Sequence, residues 1–164
     1  MRIYFTSCLA CLLLWSNLGF ALDKGQKTPV EIENAIKESD FNIVGKVLFL
    51  DFWASWCTPC GLSLPWLESL NDKWPGKVQV ITINLDKNKD DALRMLKKLS
   101  VESLSIVYDP VGKHAENCGL KTMPSSFLFN ASHKLVKEYQ GFREGDKEKI
   151  EHDIEQLLKK EATS

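Results

Sequence analysis

The feature that most restricts the fold is a cysteine pair, Cys57-Thr58-Pro59-Cys60, placed between a run apolar on both faces and an apolar set at helical spacing. The run is Val47–Trp53 (VLFLDFW); lacking alternation, it needs cover on both sides, which describes a strand inside a sheet. The helical set is Leu62, Trp66, Leu67, Leu70 and Trp74, in a stretch from Thr58 to about Trp74 that contains Pro65. Pro65 has no N–H to give the Gly61 carbonyl, so a kink is expected there. Free N–H groups and the positive end of the helix dipole favour a thiolate at Cys57, the expected nucleophile. Cys60, about a turn further in, is better shielded, and the two-residue spacing lets its sulfur close a disulfide with Cys57 and so resolve a mixed disulfide. Half of a zinc site is the competing reading. It lacks ligands, because beyond the amino-terminal segment the chain has one further cysteine, Cys118, and three scattered histidines, His114, His133 and His152.

Helices and strands alternate along the rest of the chain. Thr28-Pro29-Val30-Glu31 has the form of a capping box with proline at the first helical position, followed by Ile32, Ala35 and Ile36 on one face. Val78–Asn84 is a second strand, and Asn88 opens a helix carrying Ala92, Leu96 and Leu99, closed by Lys97 and Lys98 as the helix dipole favours. A third strand at Leu104–Tyr108 and a short helix around His114–Cys118 follow. Ser125–Phe129 and Leu135–Gln140 form a hairpin around Asn130–His133, and a last amphipathic helix runs from Asp146 to Lys159-Lys160. This order predicts an α/β sandwich of three layers: a mixed sheet with a parallel core and an antiparallel carboxy-terminal hairpin, with helices on both faces.

The amino terminus decides the compartment. After Arg2, Ile3 to Trp15 is almost wholly apolar, and Gly19-Phe20-Ala21 is a small-x-small site, so residues 1–21 read as a secretory signal cut after Ala21. An uncleaved membrane anchor is the alternative, since the apolar character runs on to Leu22; Ser16, Asn17 and Gly19 weaken it. Lipid attachment at Cys11 is disfavoured by Cys8 and the short apolar run before it. Cleavage leaves 143 residues with Cys57, Cys60 and Cys118, a polar lead at 22–27 and one domain at 28–164. The chain's net charge of −1, with no basic block, removes nucleic acid as a partner. The expected compartment is outside the cytoplasm, the bacterial periplasm, where a cysteine pair works with or against an oxidising poise.

Two further residues belong with the cysteines. Asp51 stands six residues before Cys57 inside the apolar run, where burial raises a carboxyl's pKa and suits it to exchange the proton that Cys60 loses or gains. The alternative is an aspartate at a sheet edge, bonded to backbone. Pro124, after Met123, is either an ordinary edge proline or a cis proline that turns the Met123 backbone toward the disulfide and offers a substrate peptide a strand's worth of hydrogen bonds.

Taken in order, FWASWCTPC, SLPWLESL, KTMPSSFLFN and YQGF before the last helix resemble the TlpA-type extracytoplasmic branch of the thioredoxin family, over about Val44 to Leu158. The resemblance implies a thioredoxin-like fold, nucleophile Cys57, resolving thiol Cys60, proton-exchanging Asp51 and a cis Pro124, with Trp56, Thr58, Pro59, Met123 and Pro124 forming the surface that meets substrate. The implied activity is thiol:disulfide exchange that reduces disulfides of exported proteins, apocytochrome c among them. No cofactor beyond the Cys57–Cys60 disulfide and no metal is expected, and electrons would come from a transmembrane thiol donor. Gly61 stands where relatives often carry Arg or Lys, and Ser63 where many have Glu; both remove charge near the disulfide. Cys118 reads as a buried, inert thiol. The competing functions are a disulfide-forming oxidase and a copper-delivery module using Cys57, Cys60 and Met123 as soft ligands.

Overall fold

The computed structural model describes residues 21–163, so the expected export segment lies outside the described residues apart from Ala21. Five strands, β1 (Val47–Trp53), β2 (Val78–Asn84), β3 (Ser105–Tyr108), β4 (Ser125–Phe129) and β5 (Leu135–Gln140), form one sheet in the order β3-β2-β1-β4-β5. β1, β2 and β3 are parallel, β4 is antiparallel to β1, and β5 is antiparallel to β4. Every residue of β1 is buried, as its two-sided apolar pattern requires of a central strand.

The helices are α1 (Val30–Glu38), α2 (Cys60–Lys73), α3 (Lys89–Leu99), α4 (Lys113–Asn117) and α5 (Asp146–Glu161). Leu64, Leu67 and Leu70 of α2, Ala92 and Leu96 of α3, and Ile150 and Ile154 of α5 join Val47, Phe49 and Trp53 in one core cluster. On the other side, Ile32 and Ile36 of α1 and Ala115 of α4 pack with Leu48, Leu50, Phe52 and Phe127. Alternate residues of β1 therefore serve two cores, and the sheet is the middle of three layers.

Local readings are corrected at three points. Thr28 does not cap α1: its hydroxyl and its N–H both reach the His133 carbonyl in the β4–β5 turn, and Pro29 precedes the helix with no side-chain cap. A long-range backbone partner has outcompeted the local box. The polar lead at 22–27 is tied to the sheet, since Gly25 N–H donates to the Leu135 carbonyl and Leu135 N–H to that of Gln26, which covers the start of the edge strand β5. α2 starts at Cys60 rather than Thr58 and continues through Pro65. Leu62 is 58% exposed, while Ser63, Leu64 and Trp66 turn inward in its place.

Candidate active site

The disulfide sits where β1 ends and α2 begins, and hydrogen bonds from neighbouring strands hold that junction. Leu85 N–H donates to the Trp53 carbonyl, and the Asp86 carboxylate takes the Ser55 N–H at 2.9 Å, the Ser55 hydroxyl at 2.7 Å and the Asn84 side-chain amide at 2.8 Å. Asp86 is 4% exposed, so this buried charge is matched by donors on three sides. Beyond the junction the chain turns tightly: Cys60, Gly61 and Leu62 N–H groups donate to the carbonyls of Cys57, Thr58 and Pro59, each three residues back. The first-turn donors of α2 are thus partly spent inside the turn, which lessens what they offer a thiolate at Cys57.

Cys57 and Cys60 are joined by a disulfide. Cys57 keeps 5% of its surface exposed and Cys60 none, so an incoming sulfur reaches Cys57 alone. Ser63, one turn along, donates its hydroxyl to the Cys60 carbonyl and brings no charge to the pair.

Asp51 lies on the central strand, not at an edge, between Thr82 of β2 and Ser126 of β4. It shares a face of β1 with Phe49 and Trp53, the face packed on the cluster that contains Cys60. The Ser126 hydroxyl donates to Asp51 Oδ1 at 2.6 Å, and Oδ2 is buried with no hydrogen-bond partner. Burial pushes the Asp51 carboxyl from its ordinary 3.8 up to about 7, against the Ser126 hydroxyl, which favours the charged form. A group poised at that value takes and returns a proton near neutrality.

Facing the disulfide is the loop before β4. The Met123-Pro124 bond is cis, the Ser125 hydroxyl donates to the Thr122 carbonyl at 2.9 Å, and Gly141 N–H donates to the Pro124 carbonyl at 2.8 Å. A groove of about 450 Å³ runs between the two segments, with Trp56, Cys57, Thr58 and Pro59 on one wall and Leu120, Lys121, Thr122 and Met123 on the other. Trp56 is 67% exposed beside it. A larger cavity, about 770 Å³, lies at the far end of β4 around Asn130–Lys134 and is remote from this chemistry. Of the residues singled out in the sequence, Trp56, Cys57, Thr58, Pro59 and Met123 line the groove, while Cys60, Asp51 and Pro124 are buried. Ser126 and Asp86 had not been singled out; Ser125-Ser126 opening an otherwise apolar strand is the visible signal of the first.

Cys118 is apart. It is buried at 1% exposure in the opposite core with Ile32 and Phe127, and burial, then the charges of Glu138 and Asp109, push its thiol up to about 12. Such a thiol stays protonated and inert. Cys118→Ser is expected to leave disulfide-exchange turnover within about twofold of the parent, measured with the reduced protein and a peptide disulfide; a large loss would give Cys118 a part in the chemistry.

A Cys57–Cys60 disulfide at the head of a helix, on a sheet of this order, is the arrangement of a thioredoxin-fold thiol:disulfide oxidoreductase. The chain belongs to the Redoxin family, whose model matches residues 27–158. It is similar to the thiol-disulfide oxidoreductase ResA of Bacillus thuringiensis subsp. konkukian, 28% identical with 91% of each chain covered. It is also similar to the thiol:disulfide interchange protein CycY of Rhizobium leguminosarum bv. viciae, 33% identical over 63% of this chain and 54% of that one. Among solved structures, a protein assigned as the thiol:disulfide interchange protein DsbE of Chlorobium tepidum superposes with a TM-score of 0.73 at 34% identity, covering 84% of this chain and 99% of its own. No helix among the described residues is long and apolar enough to cross a membrane.

Proposed function

We propose that the protein is a reductant of protein disulfides outside the cytoplasm. The Cys57 thiolate attacks a substrate disulfide, one substrate sulfur leaves as a thiolate, and a mixed disulfide forms. Cys60 gives its proton to the Asp51 carboxylate and attacks the Cys57 sulfur; the second substrate thiolate leaves. Two electrons pass to the substrate and the protein is left as the Cys57–Cys60 disulfide. Trp56, Thr58, Pro59, Met123 and Pro124 form the surface that receives the substrate chain. Exported proteins with cysteine pairs, apocytochrome c included, are the substrate class, and a transmembrane thiol donor restores the dithiol. The apolar segment before Ala21 supports this location, as do relatives named for disulfide interchange.

The observation that carries the direction is how little within the active-site turn itself stabilises a Cys57 thiolate. Pro59 has no N–H, the donors of Cys60, Gly61 and Leu62 are engaged three residues back, Gly61 supplies no cation, and the nearby core carries a carboxyl at Asp51. Strong oxidants of this fold depend on a strongly acidic thiolate that stabilises the reduced form. A glutathione redox titration is therefore expected to place the Cys57–Cys60 couple nearer ~−270 mV than ~−120 mV. A value close to ~−120 mV makes the protein a disulfide-forming oxidase.

A further inference from the structure

Thr58, between the two cysteines, lines two grooves: the one that contains Cys57 and a second bordered by Ser55 and Gly61. The second groove, about 480 Å³, lies between the start of α2 and the flank of α3, lined by Ser55, Thr58, Gly61, Asp91, Arg94, Met95 and Lys98. Gly61 borders it without a side chain, and a Cβ there would come within 3.3 Å of the Met95 methyl carbon. Its floor is apolar, from Met95 and Leu99, and its walls are charged.

The sign of that charge departs from the chain as a whole. The full sequence carries −1, whereas the side chains lining the two grooves are three cations, Arg94, Lys98 and Lys121, and one carboxylate, Asp91. Asp91 is paired with Arg94 on the same helix, so these two charges cancel at a distance and the net positive charge of the lining is that of Lys98 and Lys121, with Arg94 acting at contact range. Asp86 lies beneath Ser55 but is buried among its three donors, so an approaching partner meets the cations first. Exposed rim charges of one sign accelerate encounter with the opposite sign and select among partners more than they tighten the bound state.

We infer that the groove between α2 and α3 receives the chain flanking a partner's reactive cysteine, and that Arg94 and Lys98, with Lys121 across the disulfide, select partners carrying Asp or Glu within a few residues of that cysteine. This rests on the dithiol-exchange reading and adds the partner's chemistry to it. The test compares kcat/KM of the purified reduced protein on two peptide disulfides that differ only in Glu or Lys at the flanking positions, across a salt series. An uncharged small disulfide, 2-hydroxyethyl disulfide, serves as a third substrate.

The Glu peptide is expected to be favoured by about tenfold at low salt, and the preference to collapse as ionic strength shortens the screening length from ~30 Å at 0.01 M toward ~3 Å at 1 M. The combined variant Arg94→Glu, Lys98→Glu and Lys121→Glu should invert the ratio between the two peptides. Equal rates on both peptides, a preference for the Lys peptide, or a ratio that survives the three reversals overturns the inference. If the parent protein reduces none of the three disulfides, the exchange reading itself fails, and the two failures are told apart by the uncharged substrate.

Discussion

Cys57→Ser is expected to reduce disulfide exchange to the rate of the uncatalysed reaction, whereas Cys60→Ser should leave the attack intact and accumulate the protein covalently joined to its substrate. The asymmetry follows from access. Cys57 is the sulfur with exposed surface and lines the substrate groove, while Cys60 has no exposed surface and can reach only the sulfur beside it. Losing Cys57 leaves no thiolate within reach of a substrate. Losing Cys60 removes the second step alone, and the mixed disulfide then persists until an external thiol resolves it. Non-reducing electrophoresis after incubation with a protein disulfide reads both outcomes: a mixed-disulfide band for Cys60→Ser, none for Cys57→Ser. Equal trapping by the two variants would reverse or abolish the assigned order.

The relative exposure of the two sulfurs was legible from the sequence because it depends on neighbours along the chain. A strand apolar on both faces, a cysteine pair one turn wide and a helix after it are local patterns, and local patterns place Cys57 outside and Cys60 inside. The same holds for the hairpin after Met123-Pro124 and for the amphipathic α5. What escaped the reading is held by partners far apart in sequence. Ser126 meets Asp51 across 75 positions and Asp86 holds Ser55 across 31, and neither contact has a periodic signature. Thr28 shows the same effect against a local signal, since its capping geometry was given up for the His133 carbonyl 105 positions away. The lead at 22–27 pairs with β5 through backbone groups, which no side-chain alternation announces.

Asp51→Asn is expected to make the oxidised protein more stable above neutral pH while slowing its catalytic cycle once reduced, and the combination separates a proton carrier from a structural residue. With its carboxyl at about 7 when folded and near 3.8 when unfolded, Asp51 holds a proton in the native state that the unfolded chain has lost throughout that interval. The unfolded state binds fewer protons there, so stability falls as pH rises from about 4 to 7. Below that window both states are protonated and the cost vanishes; above it the cost is complete, on the order of 4 kcal/mol for a shift of this size. Asparagine is neutral at every pH and keeps an oxygen for the Ser126 hydroxyl. Its amide takes the place of Oδ2, which has no partner in the parent. Denaturant titrations of oxidised parent and variant should therefore coincide near pH 4 and separate progressively, the variant ahead, up to pH 8. In the reduced protein the variant lacks the base that accepts the Cys60 proton, and turnover near pH 7 should fall by ~10²-fold, the size of a general-base contribution, with the deficit shrinking at higher pH as solvent takes over the deprotonation. A variant that gains stability but turns over at the parental rate would leave Asp51 as a buried acid with no share in the exchange, and one that loses stability at pH 8 would contradict the sign of the shift itself.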